Sequence, residues 1–211
     1  MSYAIVVARY NENIDWLLPD ISNCIIYNKG VKLPYSVNEI MLNNVGRESE
    51  TYLQYIITHY DDLPDIVIFT QARISDHTDS DPLKYIYKLR DEAKIYEKSK
   101  SRICQYNNTT SPNWCLYLQP EWNTDGNGHF YLIDNYYLNK PIVFKKWFEI
   151  SVQNDYPDPI HIYINGLFAV KKELILRRPL VYYKWLIQFV NHHVNPAEGH
   201  FFERSWYYIF T

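Results

Sequence analysis

Cysteine is scarce in this chain: Cys24, Cys104 and Cys115 are the only three in 211 residues. An odd number without metal-ligand spacing argues against a zinc site. Buried free thiols in a reducing compartment are the expected state, ahead of a disulfide. Long apolar runs are missing as well. None approaches the roughly 20 residues that a membrane helix needs, so no membrane span is expected. No block of Lys or Arg dominates, and the formal charge is −3, which makes nucleic acid an unexpected partner. The N-terminus lacks the pattern of a signal peptide, and a cytoplasmic location is expected. No internal repeat and no linker divides the chain.

Hydrophobic residues make up 47% of the sequence, enough for one substantial domain with its own core. Aromatic residues are abundant: 21 Tyr, 9 Phe and 6 Trp. This surplus fits a surface for stacking sugars or bases, an aromatic-rich core, or an AT-rich coding bias. The chain ends on Trp206-Tyr-Tyr-Ile-Phe-Thr211 without a polar tail. That ending fits either a domain cut from a longer protein or a docked C-terminus.

Residues 3–8 and 23–28 read as strands, and Lys29-Gly30 closes the second. A short helix is expected at 14–18, stopped by Pro19. A longer one is expected from about Arg47 to Tyr60, where Leu53, Ile56, Ile57 and Tyr60 follow i, i+3, i+4, i+7 spacing. The run 66–70 is apolar and β-branched, as in a buried strand. Pro82 suits the first position of a helix, and Asp81 suits its N-cap. Further on, short strands are expected at 116–118 and 130–133, strands at 160–164 and 167–170, a short helix at 171–176 and a helix over 179–194. A final helix or turn is expected at 200–210. The alternation of strands and helices argues for an α/β fold, with a mixed, mostly parallel sheet flanked by helices.

Several polar clusters follow these strands, where ligands of open α/β sheets sit. Val6-Val-Ala-Arg-Tyr-Asn-Glu12 offers Arg9 for phosphate, Tyr10 for stacking and Asn11 for a base edge. Tyr27-Asn-Lys-Gly30 offers Asn28 and Lys29, although these are also ordinary turn residues. Asn44-Val-Gly-Arg-Glu48 enters a helix, whose N-terminus suits an anion, but its single glycine is not a P-loop. Asp76, His77, Asp79 and Asp81 form an acidic loop after the 66–70 strand. Such hard oxygen ligands suit Mg²⁺ or Mn²⁺, or else Asp81 is only a helix cap. Glu203 is either a general base or a partner of Arg204 in a salt bridge, and His200 is a possible metal ligand.

Taken in order, these motifs resemble a family of fungi and large viruses. They comprise Ala8-Arg-Tyr-Asn-Glu12, Tyr27-Asn-Lys-Gly30, Asn44-Val-Gly-Arg-Glu48, Thr51-Tyr-Leu53, Asp62-Leu-Pro-Asp65, Ile68-Phe-Thr-Gln71, Phe168-Ala-Val170 and Glu203-Arg-Ser-Trp206. The family was catalogued as a domain of unknown function. It looks related to GT-A glycosyltransferases, and the chain is similar to the N-terminal domains of chlorovirus glycosyltransferases. The resemblance spans nearly the whole chain. It implies a single GT-A-like domain over 1–211, with a nucleotide-sugar part at 1–98 and an acceptor side at 99–211. It implies transfer of a hexose from a UDP-sugar donor to an oligosaccharide or glycoprotein acceptor, with Mn²⁺ or Mg²⁺, in the building of viral capsid glycans. The location would then be the infected cell's cytoplasm.

By that resemblance Ala8, Arg9, Tyr10 and Asn11 lie near uridine and ribose, with Asn28 and Arg47 at the same edge. Asp79-Ser-Asp81 becomes the Asp-x-Asp motif, with Asp79 and Asp81 on the metal and His200 a third candidate. In many GT-A enzymes that motif directly ends its strand. Here Thr70-Gln-Ala-Arg73 occupies the strand end, so Asp76 and His77 stay in the ligand field and Arg73 becomes a candidate for the diphosphate. Glu203 and Asp155 are the candidate bases. The aromatic loops between Trp114 and Trp147 are assigned to the acceptor. Two other functions compete with this reading: a nucleotide- or glycan-binding module without turnover, and a metal-dependent phosphoesterase using the same acidic loop.

Overall fold

The computed structural model describes residues 1–75, 78, 81–95, 116–118, 144–156, 160–162 and 166–210. Its centre is a five-stranded sheet. The strands are β1 (Tyr3–Arg9), β2 (Cys24–Asn28), β3 (Glu39–Met41), β4 (Ile66–Gln71) and, after a separate short pair, β7 (Phe168–Lys171). That pair, β5 (Leu116–Leu118) and β6 (Ile160–Ile162), is antiparallel. In the main sheet the order is β3-β2-β1-β4-β7. The first four strands are parallel and β7 runs antiparallel on the edge of β4, so the α/β expectation holds.

Parallel strands buried on both faces read as continuous apolar runs, and β1 shows why. Successive side chains point to opposite faces. Ala4 and Val6 join Val67, Phe69, Phe168 and Val170 in one core. Ile5 and Val7 join Ile26, Ile66, Ile68 and Ala169 in the other. The first face is covered by α1 (Arg47–Thr58), α3 (Phe144–Val152), α5 (Leu180–Leu186) and α6 (Ala197–Phe210); the second is covered by α2 (Pro82–Ile95) and a 3₁₀ segment, Asp15–Asn23. A one-turn helix, α4 (Lys172–Ile175), follows β7.

Much of the aromatic surplus among the described residues fills the first core. Trp206 lies 5.6 Å from Phe168, 5.2 Å from Phe202 and 5.8 Å from Phe210 between ring centroids. Tyr52 sits 4.8 Å from Phe69. These are the offset and tilted contacts that aromatic quadrupoles favour.

Several local expectations need correction. The helix expected at 14–18 is a 3₁₀ segment that continues through Pro19 to Asn23. Pro19 is accommodated because the backbone kinks at Asp20, which has φ −128° and ψ 23°. The helix expected over 179–194 ends at Leu186 and tightens into a 3₁₀ turn, Ile187–Phe189. Glu39–Met41 pairs with β2 but is too short for a periodic signal. Asp81 does cap α2: its Oδ1 accepts the N–H groups of Leu83 at 2.9 Å and Lys84 at 3.3 Å. Cys24 is buried and free, and burial pushes its thiol up to about 12. Cys104, Cys115, the strand expected at 130–133 and most of the proposed acceptor loops lie outside the described residues. Among the described residues no helix is long and apolar enough to cross a membrane.

Replacing Trp206, which is 2% exposed, by alanine should lower the unfolding free energy by about 3–5 kcal/mol. Urea denaturation of the wild type and the variant measures this as a lowered midpoint at similar slope.

Candidate functional site

The chain leaves β1 towards β2 and β3 on one side and returns to β4 on the other. The order therefore reverses between β1 and β4, and at such a switch point a crevice opens beyond the carboxyl ends of the strands. A cleft of about 700 Å³ lies there. Ala8, Arg9, Tyr10 and Glu12 line it from β1 and its following turn, and Gln71 and Arg73 line it from β4. Lys29, Arg47, Glu48 and Glu203 are the other charged groups on its wall. Distant motifs thus converge because β1, β2 and β4 end together and α1 and α6 bring Arg47, Glu48 and Glu203 beside those ends.

Arg9 is buried and spends its guanidinium on the protein itself. Nε donates to the Glu12 carbonyl at 2.9 Å and Nη1 to the Val31 carbonyl at 2.8 Å. The Glu12 carboxylate accepts the backbone N–H groups of Tyr10 at 2.7 Å and Asn11 at 3.1 Å. These bonds hold the turn after β1 against the turn after β2 and leave Tyr10 half-exposed on the rim. Asn11 accepts the Val31 N–H through Oδ1 at 2.9 Å. At Gly30 a Cβ atom would fall 1.4 Å from the Tyr10 carbonyl oxygen, so no other residue fits there.

Asn28 does not reach the cleft. It is fully buried and donates Nδ2 to the Val31 carbonyl and the Glu39 carboxylate, while Oδ1 accepts the Gly30 N–H. The turn reading of Tyr27-Asn-Lys-Gly30 is the one the geometry favours for Asn28 and Gly30. Lys29 is also buried; its ammonium pairs with Glu50 at 2.8 Å and donates to the carbonyls of Val45 and Arg47. Burial lowers its pKa, and Glu50 works against that shift.

Helix α1 begins with two consecutive left-handed residues, Gly46 at φ 67° and Arg47 at φ 53°. A Cβ on Gly46 would lie 2.5 Å from the Val190 carbonyl oxygen. Arg47 bears a backbone strain that only glycine escapes, and such strain clusters at functional sites. Its Nη1 meets the His200 ring at 2.9 Å and Asn195 Oδ1 at 3.4 Å, and its Nε lies 3.6 Å from Glu48 Oε2. Burial, then Arg47 and Arg204, lowers the His200 pKa to about 3, so its imidazole is neutral. Glu203, on α6 with His200, pairs with Arg204 at 3.2 Å.

Of the sequence-derived candidates, Ala8, Arg9, Tyr10, Arg47, Arg73 and Glu203 share the cleft wall. Asn11, Asn28 and His200 stand behind or beside it. Asp155 is exposed beyond the end of α3 and does not line the cleft. Asp76, His77 and Asp79 lie outside the described residues. Asp81 is next to a smaller cavity of about 400 Å³ that shares Glu12 and Arg73 with the main cleft and includes Trp16 and Pro82. Among the described residues no group of three or more His, Cys, Asp or Glu is placed to hold a metal ion. Glu48 and Gln71 are among the wall residues to which the sequence assigns no role. Both stand inside quoted motifs, yet nothing in their spacing separates a cleft-facing Glu from a solvated one.

Comparison with protein families places residues 5–211 in a family described as "Protein of unknown function (DUF3431)". The chain belongs to that family. No curated protein and no solved structure matches it.

The buried neutral His200 makes acid stability testable. Its folded-state pKa lies below the ordinary 6.5, so the unfolded state binds the extra proton. The contribution is fully present above about pH 6.5 and is lost as pH falls towards 3. Thermal melts at pH 7 and pH 5 should show a larger drop in the wild type than in His200→Gln, by a few degrees.

Proposed function

We propose that this protein is a glycosyltransferase that moves a hexose from a UDP-sugar to a glycan acceptor, with the donor in the cleft between the ends of β1 and β4. One observation carries the reading. Basic and stacking groups from separate motifs meet at the one place in this topology where a nucleotide is expected. Arg47 and Arg73 provide guanidinium donors suited to a diphosphate. Tyr10, half-exposed on the rim, provides a ring face for uracil. Arg9 and Lys29 also line the wall, but their named donor bonds run to the protein and shape the turns.

Asp79 and Asp81 are the proposed holders of Mn²⁺ or Mg²⁺. Their hard oxygens suit either ion, and both of the capping bonds to Asp81 fall on Oδ1. When bound, such an ion supplies Lewis-acid neutralisation of charge on the departing diphosphate. His200 is not included in this set, because its ring faces the Arg47 guanidinium. By the resemblance already described, the acceptor belongs to capsid glycan synthesis and approaches over residues 99–211.

Calorimetric titration with UDP, GDP and CMP, each with and without Mn²⁺, tests the proposal. UDP should bind best, and Mn²⁺ should tighten it. Arg47→Ala and Arg73→Ala should each weaken UDP by roughly 10–100-fold, the range expected for a lost hydrogen bond to a charged group. Equal binding of all three nucleotides would sink the reading.

A further inference from the structure

Glu48 is the most deeply buried of the three carboxyl groups on the cleft wall. It is 8% exposed, and buried carboxylates are normally paired closely or neutralised. Of the nearby cations, Arg47 pairs with it loosely and Lys29 is engaged elsewhere. Lys29 pairs at 2.8 Å with Glu50, two residues further along α1. Arg47 approaches the His200 ring more closely than it approaches Glu48, which it meets only at 3.6 Å. Glu203, across the cleft wall on α6, pairs with Arg204. Gly166 lies beside Glu48: a Cβ there would stand in ordinary contact, 3.4 Å from its Cγ and 3.6 Å from its Oε1. Gly166 is itself left-handed, at φ 56°, and its carbonyl is held by the Tyr52 hydroxyl at 2.8 Å.

We propose that Glu48, rather than Glu203 or Asp155, is the general base for the transfer described above. The inference rests on that reading. The step is a single displacement. The acceptor oxygen attacks the anomeric carbon and forms the new C–O bond. The bond from that carbon to the phosphate oxygen breaks, and the nucleoside diphosphate leaves with the electron pair. The acceptor hydroxyl gives its proton to the Glu48 carboxylate, which later releases it to water. The product therefore has the opposite anomeric configuration to the donor. Burial raises the Glu48 pKa; Arg47 pulls it down, Glu203 pushes it up, and a backbone N–H bond at Glu48 and then Lys29 pull it down more weakly. A base with raised proton affinity is the kind that proton abstraction near neutral pH requires. The sign is definite: protonation as pH falls through the raised pKa removes the base and lowers the rate.

The test uses the full chain with UDP-glucose and an oligosaccharide acceptor, and reads kcat, KM, UDP affinity and product configuration. Glu48→Gln should keep UDP affinity within about threefold and lower kcat by roughly 100-fold or more. Wild-type kcat should fall on the acid side with a midpoint above the ordinary glutamate range, and the residual rate of the variant should lack that limb. Glu203→Gln should retain the limb. A Glu48→Gln enzyme with kcat within about tenfold of wild type overturns the assignment. So does loss of UDP affinity matching the loss of kcat, or a product that keeps the donor configuration. Should the variant fail to fold by circular dichroism, the wild-type profile decides: an acid limb in kcat absent from UDP affinity supports the base, and no such limb refutes it. A wild type that neither binds UDP nor turns over removes the glycosyltransferase reading and this inference with it. A wild type that transfers sugar without needing Glu48 removes this inference alone.

Discussion

The Lys29 ammonium is the contact on which the site depends. It is almost fully buried where β2 ends, and it joins that strand end to the start of α1 through Glu50 and the carbonyls of Val45 and Arg47. Helix α1 has no side-chain cap: its N-cap is Gly46, which makes no such bond. The lysine thus fixes a helix entry that is also held by the Gly46 N–H to the His193 carbonyl at 2.8 Å, by Arg47 on the His200 ring and by Ser49 on the Gly199 carbonyl. Taking away either member of a buried ion pair leaves the other charge desolvated, a cost of about 3–5 kcal/mol. The left-handed turn through Gly46 and Arg47 is pinned on both sides by these bonds. That turn decides where Arg47 and Glu48 emerge, and hence the charge on one wall of the cleft.

A second set of bonds does for β1 what Lys29 does for β2. Arg9 looks like a phosphate ligand in the sequence, and it does stand on the cleft wall. Its bonds to the carbonyls of Glu12 and Val31 show a different use: the guanidinium fork laces two turns together. The contact of Gly30 with the Tyr10 carbonyl completes the lacing. Tyr10 is therefore presented on a rigid turn, which lowers the entropy that a stacking ligand must overcome.

What could be read from the sequence follows from how local each determinant is. The strand 66–70 announces itself as a continuous apolar run, because both of its faces meet a core, and the α1 face by periodicity, because every third-to-fourth residue does. The Asp81 cap is equally local. The 3₁₀ path through Pro19 is not, since it depends on a kink at Asp20 and on packing against the second sheet face. Strand β3 owes its existence to β2 rather than to its own three residues. For the site, the convergence of the Arg9, Arg47, Arg73 and Glu203 motifs was legible as a set. The division of labour among them was not, because it turns on which donors are already satisfied by distant carbonyls.

That division gives the cleft its character. Four cationic side chains and three carboxyl groups, Glu12, Glu48 and Glu203, share one wall, which would be close to balanced if all were equivalent. They are not. Glu12 is tied to two backbone N–H groups, and Glu203 to Arg204. Arg9 and Lys29 are spent on the turns. Arg47, whose side chain is 35% exposed, faces the opening together with Arg73, and Glu48 is buried beside them with a raised pKa. Under the proposed function, an anion entering this cleft would meet the guanidinium groups of Arg47 and Arg73, and such donors stabilise charge on a departing diphosphate. A carboxyl held in the same wall at 3.6 Å from Arg47 gains basicity from burial and loses some to that neighbour. Its basicity is therefore tied to the same guanidinium that the anion would engage: when a diphosphate draws on the positive charge of Arg47, less of it remains to stabilise the Glu48 carboxylate, and its affinity for a proton rises. Under the proposed function, donor binding and base strength would be coupled through one arginine, and the left-handed backbone at Arg47 sets where that arginine stands.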